Sequence, residues 1–290
     1  MYDVIIVGKG PAGISASLYT ARANLKTLVI GKGDSALKKA EKIENYYGFS
    51  QAIRGEDLLN EGEKQAARLG VQIIENEVIN IEKNDFFEVL TPDNSYVSKS
   101  VLLATGQPLK KIRIENLEQF EGKGVSYCTT CDGFFYNNLK VGVLGYKDFV
   151  VHEAVELEAF TKDITIYTNG KQLELSEQFL ETSKRFNVNT KEIYRIDGGD
   201  FLQRIFFKDG TSENIDGLFI AYESPSSVDF ARKLGILVDE NSIVVDRDQQ
   251  TNIDGLFAAG DCTGGFKQIS TAVGQGALAG RKIIEYVRSL

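Results

Sequence analysis

The segment YDVIIVGKGPAG, residues 2–13, decides the first half of the fold. An apolar run of strand type leads into the pattern G-x-G-x-x-G at Gly8, Gly10 and Gly13, and a segment of helical period follows from Ile14 to Ala23. In this context the first glycine permits a tight turn, the second lets the backbone approach a pyrophosphate, and the third lets the helix lie close to the strand. The segment therefore predicts a Rossmann-type nucleotide site, with the pyrophosphate at the helix N-terminus.

A second strand–turn–helix unit begins at Val141, so the sequence predicts two nucleotide-fold halves. Its glycine pattern is incomplete, because Gly145 keeps the first position while Lys147 and Val150 occupy the second and third. A side chain at Lys147 obstructs the close approach of backbone to pyrophosphate that a glycine allows. The second nucleotide site is therefore predicted to be damaged.

Another nicotinamide determinant is missing after the next predicted strand, Ile164 to Tyr167. About 20 residues after the first glycine, an acid usually holds the ribose of NAD, or an arginine holds the 2′-phosphate of NADP. This chain has Thr168-Asn169-Gly170 there. The two losses favour a domain without nicotinamide binding. The alternative is an unusual loop in which Lys147 or Lys171 holds phosphate directly.

The remaining patterns organise the chain around these two halves. We expect a helix at Glu56 to Leu69, then a small antiparallel insert with strands at Val71 to Ile81, Phe86 to Leu90 and Tyr96 to Ser98, followed by a buried strand that starts at Val101. A further helix is expected at Leu173 to Phe186, and crossovers between the halves at residues 106–111 and near Pro225. The predicted fold class is α/β, with two Rossmann-like three-layer nucleotide-binding domains, the second inserted in the first.

Between the crossovers lies Cys128-Thr129-Thr130-Cys131-Asp132, a C-x-x-C followed at once by a carboxylic acid. Two thiols at this spacing can close a small ring, and the first turn of a following helix lowers a thiol pKa, so the pair can cycle between dithiol and disulfide. A structural zinc site normally needs four Cys or His ligands, and only Cys262 and His152 are available beyond the pair. We favour a redox centre; half of a zinc site and two unrelated buried cysteines are the alternatives.

The C-terminal part supplies a second cofactor signal. A predicted strand, Leu256 to Ala259, runs into Gly260-Asp261, and Lys267-Gln268 precede a helix through Ala272 to Tyr286. An acid at a strand end can bind ribitol hydroxyls, and a helix N-terminus can stabilise a reduced, anionic flavin ring. This arrangement predicts a flavin site, and Cys262 beside it is interpreted as a small buried hydrophobic residue.

Composition limits the classes of function. The 290 residues suggest one large or two ordinary domains, and 42% hydrophobic residues suffice for substantial cores. The net charge of −8 argues against a general nucleic-acid binder, and the single histidine argues against a Ser-His-Asp triad or a His-rich metal centre. The first apolar run, Val4 to Val7, is far too short to cross a bilayer or direct secretion, so we expect a cytoplasmic protein, in which a C-x-x-C is more often catalytic than structural.

In combination, these motifs resemble the low-molecular-weight thioredoxin reductases across nearly the whole chain. The matching segments are Gly8 to Gly13, Glu44-Asn45-Tyr46 with Gly48-Phe49, Ala104-Thr105-Gly106, Cys128 to Asp132 with Gly133-Phe134-Phe135, and Ala258-Ala259-Gly260-Asp261 ahead of Lys267-Gln268. The resemblance implies a homodimeric flavoenzyme. Its FAD-binding domain, residues 1–109 and 224–290, would be split by an inserted redox-disulfide domain, residues 110–223, with a degenerate NADPH-type fold.

The resemblance also implies roles for residues at the matching positions. Cys131 would lie closest to the flavin, Cys128 would be its disulfide partner, and Asp132 would donate a proton. The residues expected to contact FAD are Gly8, Gly10, Pro11, Ala12, Gly13, Asn45, Ala104, Thr105, Gly106, Gly260, Asp261, Lys267, Gln268 and Ile269. No metal site is expected, and the sulfur that attacks the protein substrate stays open.

Departures from the family pattern point to a particular electron donor. Lys147 replaces the second nicotinamide glycine, Thr168-Asn169-Gly170 replaces a His-Arg-Arg run, and Tyr222 stands where glycine is common. This pattern is similar to the ferredoxin-dependent flavin thioredoxin reductases, which keep FAD and the C-x-x-C but have lost NADPH binding. We therefore expect electrons to pass from ferredoxin through FAD and the cysteine pair to thioredoxin. The alternatives are an NADPH-dependent thioredoxin reductase with an atypical nicotinamide site, and a flavin-bound redox sensor or interaction module.

Association with an acidic ferredoxin would need a local basic surface, because the chain itself is acidic. Arg22, Lys26, Lys38, Lys39 and Lys42 are the candidates, and an ordinary solvated face is the alternative. We expect neither nucleic acid nor a membrane as a partner.

Overall fold

The computed structural model describes residues 1–33, 35–106 and 112–290, and the chain divides into two compact units. The first unit comprises Met1–Pro108 and Ser226–Leu290, and the second comprises Leu109–Pro225. The first expected crossover falls on residues 107–111, outside the described residues.

Strands and helices are numbered in chain order. The strands are β1 (Tyr2–Val7), β2 (Thr27–Ile30), β3 (Gln72–Ile74), β4 (Asn80–Lys83), β5 (Phe87–Leu90), β6 (Ser95–Leu103), β7 (Val125–Ser126), β8 (Val141–Leu144), β9 (Ile164–Tyr167), β10 (Asn187–Asn189), β11 (Ile193–Gly198), β12 (Leu202–Phe207), β13 (Ser212–Asn214), β14 (Gly217–Ile220), β15 (Val238–Asp239), β16 (Ser242–Ile243) and β17 (Leu256–Ala258). The helices are α1 (Pro11–Arg22), α2 (Gly55–Arg68), α3 (Thr129–Asp132), α4 (Asp148–Leu157), α5 (Glu177–Ser183), α6 (Ser227–Leu234) and α7 (Ile269–Ser289).

A mixed sheet forms the centre of the first unit. Its strands lie in the order β3-β2-β1-β6-β5-β4, and β17 pairs with β6. β1 is parallel to both neighbours, with Ile5 opposite Leu28 on one side and Val101 on the other. These strands are continuous apolar runs because helices and loops bury both faces of a parallel sheet.

The strand order reverses between β1 and β6. In open α/β sheets, ligands bind at such a switch point, beyond the carboxyl ends of the strands. Gly8 directly follows β1 and Ala104 directly follows β6. The glycine loop and the segment Ala104 to Gly106, both expected to contact FAD, therefore lie at this edge.

The second unit has a parallel sheet in the order β10-β9-β8-β14-β7 and an antiparallel sheet of β11, β12 and β13. Ile196 and Ile205 of the antiparallel sheet share a buried cluster with Leu144 and Tyr167 of the parallel sheet. The predicted α/β class is confirmed. Within the part of the chain that the structure describes, no helix combines the length and the hydropathy of a membrane span.

The antiparallel strands expected after α2 are present, because β5 is antiparallel to both β4 and β6, but they continue the main sheet and do not form a separate insert. The strand expected at Val71 to Ile81 is two strands with different partners, since β3 pairs with β2 and β4 pairs with β5. Between them the Asn76 side chain accepts the N–H of Glu77 at 2.8 Å. β3 joins the parallel edge of the sheet, and Tyr96 to Ser98 belongs to the same strand as Val101.

The helix expected at Leu173 to Phe186 is shorter than predicted, since α5 begins at Glu177. The preceding backbone donates instead to the loop after β8 and to the first residue of α4. The N–H of Glu174 donates to the Tyr146 carbonyl oxygen at 2.8 Å, and the N–H of Ser176 donates to Asp148 Oδ1 at 2.8 Å. These long-range bonds hold the segment out of the helix.

Helices α1 and α7 pack against each other at unusually small residues. A Cβ at Gly276 would lie 2.1 Å from the Ala12 carbonyl oxygen, and one at Gly280 would lie 2.8 Å from the Ala16 carbonyl oxygen. The close contact buries Ala279 and Ile283 completely.

This packing predicts opposite effects for two glycines of α7. Gly276→Ala should destabilise the protein by about 1–3 kcal/mol, because the added methyl group overpacks the contact with α1. Gly274→Ala is the matched control: nothing lies within 4 Å of its added Cβ. It should stabilise the helix by up to about 1 kcal/mol. Urea unfolding with excess FAD in every sample measures both, and equal stabilities would contradict the packing.

Candidate active site

The cysteines of the C-x-x-C segment are joined in a disulfide. Strand β7 ends two residues before Cys128, and α3 contains Cys131. Cys128 caps this short helix, and its Sγ accepts the N–H of Cys131 at 3.1 Å. Cys128 is buried, at 4% exposure, whereas Cys131 is exposed. Cys131 is therefore the more accessible member of the pair.

Asp132 is held beside the pair by Ser126, a residue that the sequence did not single out. The Ser126 hydroxyl donates to Asp132 Oδ2 at 2.7 Å and accepts the N–H of Cys128 at 3.1 Å. One side chain thus positions the carboxylate and the first cysteine together. The available signal was a polar residue at the end of a buried strand, close to the motif.

Two aromatic side chains follow the pair on the protein surface. Phe134 and Phe135 are 68% and 72% exposed, with ring centroids 6.1 Å apart. Gly133 before them packs tightly, because an added Cβ would lie 2.6 Å from the Phe160 ring. The two rings therefore form an exposed apolar surface close to the disulfide.

The three glycines of the first motif take the positions that a pyrophosphate loop requires. Gly8 has φ +115°, and a Cβ there would lie 2.2 Å from the Ala104 carbonyl oxygen. A Cβ at Gly13 would lie 2.0 Å from the Gly8 carbonyl oxygen, but nothing lies within 4 Å of a Cβ at Gly10. The loop therefore leaves space in front of α1 that fits the pyrophosphate of FAD.

The N- and C-terminal cofactor motifs meet at the start of α1. Pro11 is the first residue of this helix and Ala12 the second. Gly260 has φ +85°, and a Cβ there would lie 3.0 Å from the Ala12 Cβ. The N–H of Gly260 donates to Gln275 Oε1 at 2.8 Å, and Asp261 begins the following 3₁₀ turn. The structure thus brings Asp261 to the edge where the glycine loop lies.

The other expected FAD contacts lie on neighbouring loops. Asn45 Nδ2 donates to Gln268 Oε1 at 3.0 Å, although these residues are 223 positions apart. Gln268 stands at the N-cap position of α7, after Lys267, and Ile269 is the first residue of the helix. Beyond β6, Thr105 Oγ1 accepts the N–H of Ser227 at 2.9 Å, and Gly106 has φ +73°.

The corresponding edge of the second sheet contains aromatic side chains. The strand order reverses between β8 and β14, so the switch point lies beyond these two strands. The Tyr146 ring meets the Tyr222 ring edge to face, with centroids 5.2 Å apart. The Tyr146 hydroxyl donates to Glu223 Oε1 at 3.0 Å, and burial, followed by this carboxylate, raises the pKa of Tyr146. The hydroxyl therefore stays protonated as a donor.

Lysine side chains cover the same tyrosine. Lys147 Nζ lies 5.4 Å and Lys171 Nζ 6.0 Å from the centroid of the Tyr146 ring. Val150, at the position of the third glycine, is fully buried. Sequence reasoning identified Lys147 and Tyr222 but missed Tyr146 and Glu223. The adjacent Gly145 was the available signal for Tyr146.

The open space at Gly10 predicts that a side chain at this position blocks FAD binding without preventing folding. Gly10→Val should fold, because Gly10 has ordinary extended backbone angles and no neighbour within 4 Å of a Cβ. It should nevertheless purify with little FAD, because the side chain occupies the pyrophosphate space. Flavin absorbance per protein measures occupancy, and circular dichroism checks folding. A folded variant with full FAD would show that the loop is not the binding site.

Cys262 should be chemically inert in the native protein. It is 1% exposed, and burial raises its pKa to about 12, so the reactive thiolate is scarce at neutral pH. In a Cys128→Ser, Cys131→Ser variant, the one remaining thiol should resist a disulfide reagent until the protein is denatured. Rapid labelling of the native variant would contradict this assignment.

The family of the chain follows from comparison with known proteins. The family model described as pyridine nucleotide-disulphide oxidoreductase matches residues 2–276. The chain is 32% identical to the thioredoxin reductase of Listeria monocytogenes, covering 100% of this chain and 95% of that protein. The oxidoreductase class, the resemblance and the FAD cofactor expected from the sequence are confirmed.

Solved structures agree with this relationship. An atypical thioredoxin reductase from Desulfovibrio vulgaris Hildenborough superposes with a TM-score of 0.96 and 39% identity, over 100% of this chain and 99% of that one. A ferredoxin-flavin thioredoxin reductase from Clostridium acetobutylicum superposes with a TM-score of 0.72 and 30% identity, over the same shares. The chain belongs to the pyridine nucleotide-disulphide oxidoreductase family, as an FAD-binding flavoprotein of the thioredoxin reductase type.

Proposed function

We propose that this chain reduces thioredoxin through Cys128 and Cys131 with electrons from reduced ferredoxin and not from NADPH. The principal support is the edge of the second sheet, where Tyr146, Tyr222 and Lys147 occupy the region in which a dinucleotide would bind. The similarity of this chain to the Clostridium acetobutylicum structure, which is described as a ferredoxin-flavin thioredoxin reductase, also supports ferredoxin as the donor. An NADPH-dependent reductase is the principal rival.

The proposal assigns the two units different tasks. Residues 1–109 and 224–290 would form the FAD-binding domain, and residues 110–223 the inserted redox-disulfide domain. The glycine loop with Pro11 and Ala12, the segment Ala104 to Gly106, and Asn45, Asp261 and Gln268 would hold FAD. Bound FAD would supply the ability to receive electrons singly and deliver them as a pair.

Reduction of the disulfide consumes two electrons and two protons: the S–S bond breaks and two thiols form. Two molecules of reduced ferredoxin, each giving one electron, would supply the pair. Asp132, fixed by Ser126, lies next to Cys131 in sequence and would deliver a proton. The dithiol would then reduce the thioredoxin disulfide by thiol–disulfide exchange, for which the exposed Phe134 and Phe135 offer an apolar contact surface.

The energetics permit this direction of transfer. A ferredoxin near −400 mV and a thioredoxin near −270 mV differ by about 130 mV, or roughly 6 kcal/mol for two electrons. No nicotinamide is needed to drive the reaction. A homodimer and a cytoplasmic location, both expected from the sequence, belong to the same proposal.

The five basic candidates for ferredoxin binding lie at opposite ends of β2. Arg22 and Lys26 precede the strand, whereas Lys38, Lys39 and Lys42 follow it. All five are exposed. β2 runs parallel to β1, which leads into the glycine loop, so the second group lies at the carboxyl edge of the sheet, where FAD is proposed to bind. We therefore assign donor docking to Lys38 and Lys39.

Charge reversal at the two ends of β2 tests this docking site. Lys38→Glu with Lys39→Glu should slow ferredoxin-driven thioredoxin reduction at least about threefold at low salt, because attraction to an acidic partner is lost. Arg22→Glu with Lys26→Glu makes the same change in net charge at the other end of the strand and should have a much smaller effect. The rate of the unchanged protein should fall as salt rises.

Three outcomes would redirect the proposal. Equal slowing by both charge reversals would indicate a general charge effect without a docking site at Lys38 and Lys39. Thioredoxin reduction with NADPH and none with ferredoxin would establish the ordinary reductase. Reduction of the cysteine pair once, with no thioredoxin consumed, would indicate a flavin-bound sensor.

A further inference from the structure

The two residues between the cysteines are held by carboxylates of α4. Thr129 Oγ1 donates to Glu153 Oε2 at 2.6 Å and lies 3.0 Å from Glu156 Oε2. Thr130 Oγ1 donates to Glu156 Oε2 at 3.1 Å. Both hydroxyls of the C-T-T-C turn are therefore engaged by a helix outside the turn.

The inner of these contacts is buried. Thr129 is 1% exposed and Glu153 is 2% exposed, whereas Thr130 is exposed and Glu156 is half-buried. A buried charge-assisted hydrogen bond is stronger than an exposed one, because water does not compete for the carboxylate. Thr129 has one hydroxyl hydrogen, so the short contact with Glu153 is the principal one.

The single histidine of the chain belongs to the same cluster. His152 Nδ1 lies 3.3 Å from Glu153 Oε1, and His152 Nε2 lies 3.9 Å from Glu156 Oε1. Both oxygens of the Glu153 carboxylate therefore have polar neighbours, which fixes its orientation. The sequence could assign His152 neither to a triad nor to a metal site. In the structure His152 contacts the two glutamates that bind the C-T-T-C turn.

We propose that Glu153 is a positioning residue that sets the dithiol–disulfide equilibrium of Cys128 and Cys131 through Thr129. Holding Thr129 fixes the turn in the form that keeps the two sulfurs in bonding geometry, and this preorganisation favours the closed disulfide. Reduction adds two electrons and two protons to the disulfide, breaks the S–S bond and gives two thiols. A looser turn makes the disulfide easier to reduce, so it shifts the equilibrium toward the dithiol.

Two substitutions of Glu153 separate the hydrogen bond from the mere presence of a side chain. Glu153→Gln keeps an oxygen that can accept the Thr129 hydrogen bond at 2.6 Å and should stay close to the unchanged protein, whereas Glu153→Leu removes the acceptor and should favour the reduced form. Loss of the hydroxyl in Thr129→Val isolates the positional effect.

Equilibration of the FAD-loaded protein with mixtures of oxidised and reduced dithiothreitol, followed by alkylation and counting of free thiols, measures this equilibrium. Thr129→Val should shift it toward the dithiol by about tenfold, equivalent to about 30 mV. Thr129→Ser, which keeps the hydroxyl, should stay close to the unchanged protein. Thr130→Val is the matched control, since it removes an exposed hydroxyl bonded to Glu156, and should shift the equilibrium much less.

A Thr129→Val equilibrium equal to that of Thr130→Val would overturn this inference. If Thr129→Val fails to fold, Glu153→Leu decides, because it removes the acceptor of the same hydrogen bond and an unchanged equilibrium there is equally contradictory. The inference depends on the proposed redox function of the cysteine pair but not on ferredoxin. A disulfide in the unchanged protein that dithiothreitol cannot open would refute the redox function itself, whereas a disulfide that opens normally with unresponsive variants would refute only the role of Glu153.

Discussion

A close approach of two backbones, at the first glycine of each nucleotide-type motif, is the constraint on which both units depend. A Cβ at Gly8 would lie 2.2 Å from the Ala104 carbonyl oxygen, and a Cβ at Gly145 would lie 2.1 Å from the Ala221 carbonyl oxygen. In each unit the loop after one central strand passes against the end of its parallel neighbour. The glycine that the fold needs is therefore present twice.

The second glycine of the motif, which ligand binding requires but the fold does not, is present only in the first unit. Gly10 borders open space, whereas its counterpart Lys147 directs its ammonium group toward the Tyr146 ring. Tyr146 in turn contacts Tyr222 and donates to Glu223, whose backbone has φ +64°. The second unit thus keeps the packing requirement of a Rossmann-like fold while its ligand-facing positions have different chemistry, which is the physical basis for proposing a donor other than NADPH.

Sequence reasoning succeeded where the signal is local. The bounds of β9 follow from a short apolar run, the first loop follows from its glycines, and the C-x-x-C is recognisable from its spacing alone. It failed where distant contacts decide: Ser98 and Ser100 interrupt the apolar pattern of β6, yet Ser100 Oγ donates to the Asp3 carbonyl oxygen at 2.9 Å and the strand continues. Ser126 and Tyr146 lie beside predicted motifs but belong to no motif pattern, whereas Glu153 is distant in sequence and only the fold brings it to the cysteine turn.

The electron donor is tested most directly by anaerobic rapid mixing of the oxidised, FAD-loaded protein with NADPH and, separately, with reduced ferredoxin, while flavin absorbance is followed. We expect ferredoxin to bleach the flavin rapidly and NADPH to leave it oxidised on the same timescale, because Tyr146, Tyr222 and Lys147 contact one another at the second switch point, where a glycine would have admitted a dinucleotide. Rapid bleaching by micromolar NADPH, with none by reduced ferredoxin, would contradict the proposed donor.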